Sequence, residues 1–157
     1  MNPVLGRPTD RGVGRLLFWV ARLRALEYNL DVESLIAGAN ELRISLTERH
    51  LAAFEVYYRE LVAWNQRFNL TAITDYEKVQ IRHFLDSLSC LLSREVRLAL
   101  QRPGCRVVDV GTGAGFPGIP LKLVCPAINL TLLEATGKKA AFLQHVVDRL
   151  GIQGVAV

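Results

Sequence analysis

Cysteine is scarce in this chain of 157 residues: there are three, Cys90, Cys105 and Cys125, an odd number with no CxxC pair. That count excludes a disulfide-stapled secreted scaffold and a zinc finger, and free thiols in a reducing compartment are expected. Long hydrophobic runs are missing too. The longest near the N-terminus, Leu16 to Ala21, is six residues and is closed by Arg22. That is too short for a membrane span and short even for a signal-peptide core. Neither an internal repeat nor a low-complexity segment occurs. Charge is modest: 22% of residues are charged and the balance is +4, with a pI near 9.2, which is compatible with a nucleic-acid partner without demanding one. Apolar material is plentiful, half of all residues with a mean hydropathy of +0.21, enough to build a core and too much for a disordered chain.

The organisation falls into three stretches. Residues 1–30 carry Arg7, Arg11, Arg15, Arg22 and Arg24 against Asp10 and Glu27. They read as a tail running into a short amphipathic helix, with a targeting peptide or RNA-phosphate contacts as alternatives. Residues 31–103 read as helical. Thr47 caps a helix whose stripe is Leu51, Phe54, Tyr58, Leu61 and Val62, with a polar break expected from Trp64 to Thr71. Thr74-Asp75-Tyr76-Glu77 reads as a capping box opening a second helix striped by Ile81, Phe84, Leu85, Leu88 and Leu91. Arg102-Pro103-Gly104 then breaks the chain, and over residues 104–157 the period changes. Arg106 to Val110 and Asn129 to Glu134 read as strands, with a third beginning at Gly154. Between them lie a helix over Ile119 to Val124 and one capped by Thr136 and stopped by Gly151. Strands alternating with helices predict an α/β fold with a parallel, doubly wound sheet.

The chemistry sits between the first strand and its helix, in Asp109-Val110-Gly111-Thr112-Gly113-Ala114-Gly115-Phe116-Pro117-Gly118. Glycines there allow positive φ and close approach of a ligand to the backbone. A P-loop is excluded, because Ile119 stands where the lysine must be. A dinucleotide fingerprint needs a glycine where Phe116 stands. GxGxG after a strand fits S-adenosylmethionine (SAM), which has no phosphate and whose sulfonium tolerates a nearby carboxylate such as Asp109. Glu134 closes the second strand, 23 residues after Gly111, where a carboxylate accepts both ribose hydroxyls.

Three segments together resemble one family: Trp64-Asn65-Gln66-Arg67-Phe68-Asn69-Leu70-Thr71, His83-Phe84-Leu85-Asp86-Ser87, and Gly115-Phe116-Pro117-Gly118-Ile119-Pro120 with the loop before it. They are similar to the bacterial small-subunit ribosomal RNA methyltransferases RsmG, also called glucose-inhibited division protein B. The likeness runs from about Ser34 to Val157 and includes Leu133-Glu134 with Gly137-Lys138-Lys139. It implies a helical cap on a Rossmann-like SAM-dependent methyltransferase domain, acting on N7 of a guanine in 16S rRNA within the cytoplasm. It also implies that Gly111, Gly113, Gly115 and Phe116 line the cofactor pocket, that Glu134 holds the ribose, and that Ala135 and Thr136 pass beneath the adenosine. The small ribosomal subunit is the expected partner, with no membrane, and a monomer is expected.

His83 and Asp86, with Cys90 on the same face, are too few for a metal site. They are expected either to join cap and sheet or to line the space near the methyl donor. Asn65 and Asn69 are expected to form a turn or to hold the cap over the cofactor. Lys138 and Lys139 stand in a helical first turn, where the dipole disfavours cations, which makes them candidates for rRNA contact as well as for a solvated face. His50 and His145 have no evident partner. The resemblance implies about seven strands in the order 3-2-1-4-5-7-6, of which two and the start of a third are written here. The expectation is therefore a partial record of a longer protein, inactive alone. A catalytically silent RNA-binding or ribosome-assembly module and another nucleotide-dependent enzyme stand as alternatives.

Overall fold

A computed structural model describes residues 32–157, so the expectations for residues 1–30 lie outside the described residues. The first helix, α1 (Glu33–Glu41), buries Leu35 and Ala39. α2 (Glu48–Phe68) opens on a reciprocal capping box: the Thr47 hydroxyl accepts from His50 N–H, and His50 Nδ1 accepts from Thr47 N–H. This is the partner of His50 that its sequence neighbours do not reveal. The expected break at Trp64 is absent, and the helix runs on to Phe68 before Asn69 ends it in the left-handed conformation, φ 49°. Gln66 and Arg67 are exposed on the helix surface, and Trp64 and Phe68, four apart, pack ring on ring at 5.4 Å.

The second helical stretch differs more. Its cap is Asp75, which accepts from Lys78 N–H, rather than Thr74. After α3 (Tyr76–Val79) comes a π-helical turn, Gln80–Leu85, and then α4 (Asp86–Ser89) and a 3₁₀ turn, Cys90–Leu92. The wider turn shifts the inward face. Ile81, expected in the core, is 46% exposed, while Gln80 is buried and its Oε1 accepts from Leu35 N–H at 3.0 Å. Ser93 caps α5 (Arg94–Leu100), which leads to the sheet.

Strands β1 (Arg106–Val110), β2 (Asn129–Leu133) and β3 (Val155–Ala156) lie parallel in the order β1-β2-β3. They are linked by α6 (Gly118–Val124) and α7 (Gly137–Leu150), and Gly151 ends α7 with φ 60° as expected. Thr136 sits at the N-cap of α7, but its side chain does not cap. Burial alternates along β1 and β2, with Leu130 and Leu132 covered and Val108, Val110 and Leu133 open. Among the described residues the sheet is thus covered on one face only, short of the doubly wound arrangement expected. One apolar cluster joins the helical stretch to the sheet: Leu35, Phe54, Tyr57, Leu61 and Phe84 share it with Ile119, Leu130, Leu132 and Phe142.

Candidate cofactor site

The loop after β1 is built from conformations that side chains resist. Gly111, Gly113 and Gly115 have φ of 72°, 62° and 99°. A Cβ on Gly111 meets nothing within 4 Å, and one on Gly113 meets only the Gly111 carbonyl at 4.0 Å, so these two leave backbone open to a ligand. Gly115 does different work, since a Cβ there would lie 2.5 Å from Ile119 Cδ1 and 2.6 Å from the Tyr57 hydroxyl. Asp109 pins the loop from beneath. Its Oδ2 accepts from the Thr112 hydroxyl at 2.6 Å and from Gly118 N–H at 2.9 Å, tying the end of β1 to the start of α6. The Phe116–Pro117 peptide bond between them is cis.

Glu134 follows β2 directly and faces this loop. Its Oε2 accepts from Gly113 N–H at 2.9 Å and its Oε1 from Thr136 N–H at 2.8 Å. The Thr136 N–H contributes most to holding this carboxyl below its ordinary range, and Gly113 N–H and the Lys139 charge act in the same direction. Glu134 is therefore an anion at neutral pH. Ala135, Thr136 and Lys138 are exposed beyond it, and Lys139 is half-buried.

The helical stretch reaches the loop through Tyr57, which the sequence pattern does not single out. It is fully buried; its hydroxyl donates to the Ala114 carbonyl at 2.5 Å, and its ring stacks on Phe84 at 5.5 Å and Phe116 at 5.3 Å. Burial, then the Asp109 charge, raises its pKa, so the hydroxyl remains a donor. His83 lies flat on Phe116, centroids 4.5 Å apart and 14° between planes, with Nε2 2.9 Å from the Thr71 hydroxyl. Partial burial lowers its pKa despite the Arg82 carbonyl and the Asp86 charge, which pull the other way. Asn65 Oδ1 accepts from Thr71 N–H at 2.8 Å, and Asn69 supplies the left-handed helix end, so both shape the turn that carries Thr71 to His83. A second tie was not legible at all: Glu60 on α2 takes His145 Nε2 at 2.7 Å and Arg149 Nε at 3.0 Å from α7.

A family model for rRNA small subunit methyltransferase G, GidB, matches residues 50–157, from the first turn of α2 through β3. The chain belongs to that family. Among curated relatives, the rRNA small subunit methyltransferase G of Dehalococcoides mccartyi strain BAV1 is 51% identical over 126 residues, 80% of this chain and 51% of the relative. That of Caldanaerobacter subterraneus subsp. tengcongensis is 49% identical over 127 residues, 81% of this chain and 51% of the relative. That of Roseiflexus castenholzii is 46% identical over 126 residues, with 80% and 51% covered. The chain spans about half the length of these GidB relatives. The family match covers the whole glycine loop, Glu134 and the helices that brace them, and gives no support to a reading as a silent assembly module. Among the described residues no helix is long and apolar enough to cross a membrane.

Proposed function

We propose that the protein transfers a methyl group from SAM to N7 of a guanine in 16S ribosomal RNA, acting in the cytoplasm on the small ribosomal subunit and as a monomer. The observation that carries this reading is the Glu134 carboxylate, ionised and poised 2.9 Å from the Gly113 N–H on an open glycine loop. A carboxylate offers roughly four lone-pair sites. The hydrogen bonds to Gly113 and Thr136 occupy two of them, so Glu134 retains capacity for two ribose hydroxyls without releasing the loop. The residues present thus fit the cofactor.

SAM, when bound, supplies a methyl group on a cationic sulfur that departs with the bonding electron pair as the N7 lone pair forms the new C–N bond. The chain's part is to bind and align. Gly111 and Gly113 admit the cofactor to the backbone, Phe116 walls it, and Ala135 and Thr136 pass under the adenosine. Gly115 keeps the loop against the cap. Lys138, exposed, and Lys139, half-buried, lie in the first turn of α7, suited to rRNA phosphates. Guanine N7 has no proton to lose, so no general base is needed, and alignment in a water-poor pocket is the main requirement. In this division residues 31–103 are the cap that braces the loop and 104–157 the cofactor-binding part, with Asn65, Asn69, His83 and Asp86 where the two meet.

The test is genetic and chemical. Deleting the gene from its source and mapping N7-methylguanine in 16S rRNA by reduction and strand cleavage is expected to remove one modified position. Restoring the gene returns it, whereas a Glu134→Ala copy does not. An unchanged modification map contradicts the proposal.

A further inference from the structure

Between Phe116–Pro117 and the helical segment beginning at Arg82 lies an open cavity of ≈ 280 Å³ that the cofactor reading touches only at Phe116. Arg82, His83 and Asp86 line it, and the first two lie in the π-helical turn Gln80–Leu85. Such turns inside α-helices concentrate at functional sites. In an ordinary α-helix an arginine and an aspartate four apart are neighbours within reach of each other. Here neither the Arg82 guanidinium nor the Asp86 carboxylate has a hydrogen bond or ion pair among the described residues. Among the described residues, then, the Asp86 carboxylate and the Arg82 guanidinium both face the cavity unpaired. The cavity also offers an aromatic wall, the His83 ring stacked on Phe116 and anchored by Thr71. Phe116 belongs to the glycine loop as well, so the cavity and the loop share a wall.

We infer that this cavity receives the target guanine, with the Asp86 carboxylate accepting from its N1–H and exocyclic N2–H and Arg82 meeting the adjoining phosphate. The inference rests on the methyl-transfer reading above. Of the four RNA bases, guanine alone sets two donors side by side on its Watson–Crick edge. Adenine and cytosine place a ring acceptor beside their amino group, and uracil flanks its one N–H with carbonyls. Recognition by that edge also leaves N7, on the other side of the purine, free for the methyl group. Enzymes that act on a base take it out of the stack, and an aromatic wall replaces part of the lost stacking.

The test uses the native protein, small subunits from the deletion strain, and subunits reconstituted with inosine, which lacks N2, at the mapped position. Asp86 is exposed, so Asp86→Asn keeps the fold. Asp86→Asn is expected to lower kcat/KM about tenfold on the guanine substrate with the dissociation constant for SAM unchanged. Wild type should prefer guanine over inosine by a similar factor, and Asp86→Asn should abolish the preference. Unchanged kcat/KM or a retained preference in the variant overturns the assignment. So does a loss of SAM affinity in Asp86→Asn, which would give the cavity to the amino-acid end of the cofactor. Wild-type protein that transfers no methyl at all brings down the function and this inference together, whereas an active wild type with an indifferent Asp86→Asn brings down this inference alone.

Discussion

Three glycines within five positions of the loop bear different loads. At Gly111 only the positive φ opposes a side chain, so Gly111→Ala is expected to cost about 1–2 kcal/mol. At Gly115 the φ of 99° is joined by collisions with Ile119 and Tyr57, and Gly115→Ala should cost about 2–4 kcal/mol. Urea unfolding of the two variants checks the order, and equal losses would show that Gly115 is not a packing glycine. His50 sets a pH response. Burial of its ring, with the Arg49 charge second, lowers its pKa, and only the neutral ring accepts from Thr47 N–H. The folded chain then binds this proton less readily than the unfolded one. Stability is full above the ordinary histidine value of about 6.5 and falls as pH drops below it. His83, lowered chiefly by burial, acts in the same direction. His50→Gln retains a residue suited to the box but does not titrate, so it should flatten the fall in urea midpoint between about pH 7 and pH 5. A slope equal to wild type would remove His50 from the account.

At the scale of elements, α2 is the brace that positions the site. It touches the loop through Tyr57 and α7 through Glu60, whose carboxyl burial raises and whose bonds to His145 and Arg149 lower, the latter prevailing. Tyr57→Phe leaves the Ala114 carbonyl unpaired in a buried setting and should cost about 1–3 kcal/mol. It should also speed hydrogen exchange at Gly115 and Phe116, whose N–H groups bond within the loop to the Thr112 carbonyl. Unchanged exchange would mean that the loop holds itself. β1, the glycine loop, Glu134 and α7 were legible because their signals are local: β-branched runs, glycines and a 3.6-residue stripe. Tyr57 was not. Adjacent Tyr57 and Tyr58 both fit a broad apolar arc, and the partner that distinguishes them lies 57 residues away. The π-turn has no propensity signal either, so an α-period placed Ile81 inwards where the structure buries Gln80.

For the whole molecule, the helical stretch and the sheet act as one body through a shared core. Among the described residues the opposite sheet face is bare, with Val110 78% exposed, and β1 pairs only with β2. An exposed apolar edge associates. A polypeptide of these 157 residues produced alone is expected to sediment with a concentration-dependent mass, and Val108→Lys with Val110→Lys should suppress it. A constant monomer mass for the unsubstituted polypeptide would contradict this. The depth of the shared core could not be anticipated from the order of elements, because it depends on contacts between distant residues. The most direct test of the central claim is methyl transfer itself: native protein, radiolabelled SAM and small subunits from the deletion strain, with the label located by N7-specific cleavage. Label is expected at one guanine N7 with wild type and none above background with Glu134→Ala. Label elsewhere, no label with wild type, or full activity in the Glu134→Ala variant would contradict it.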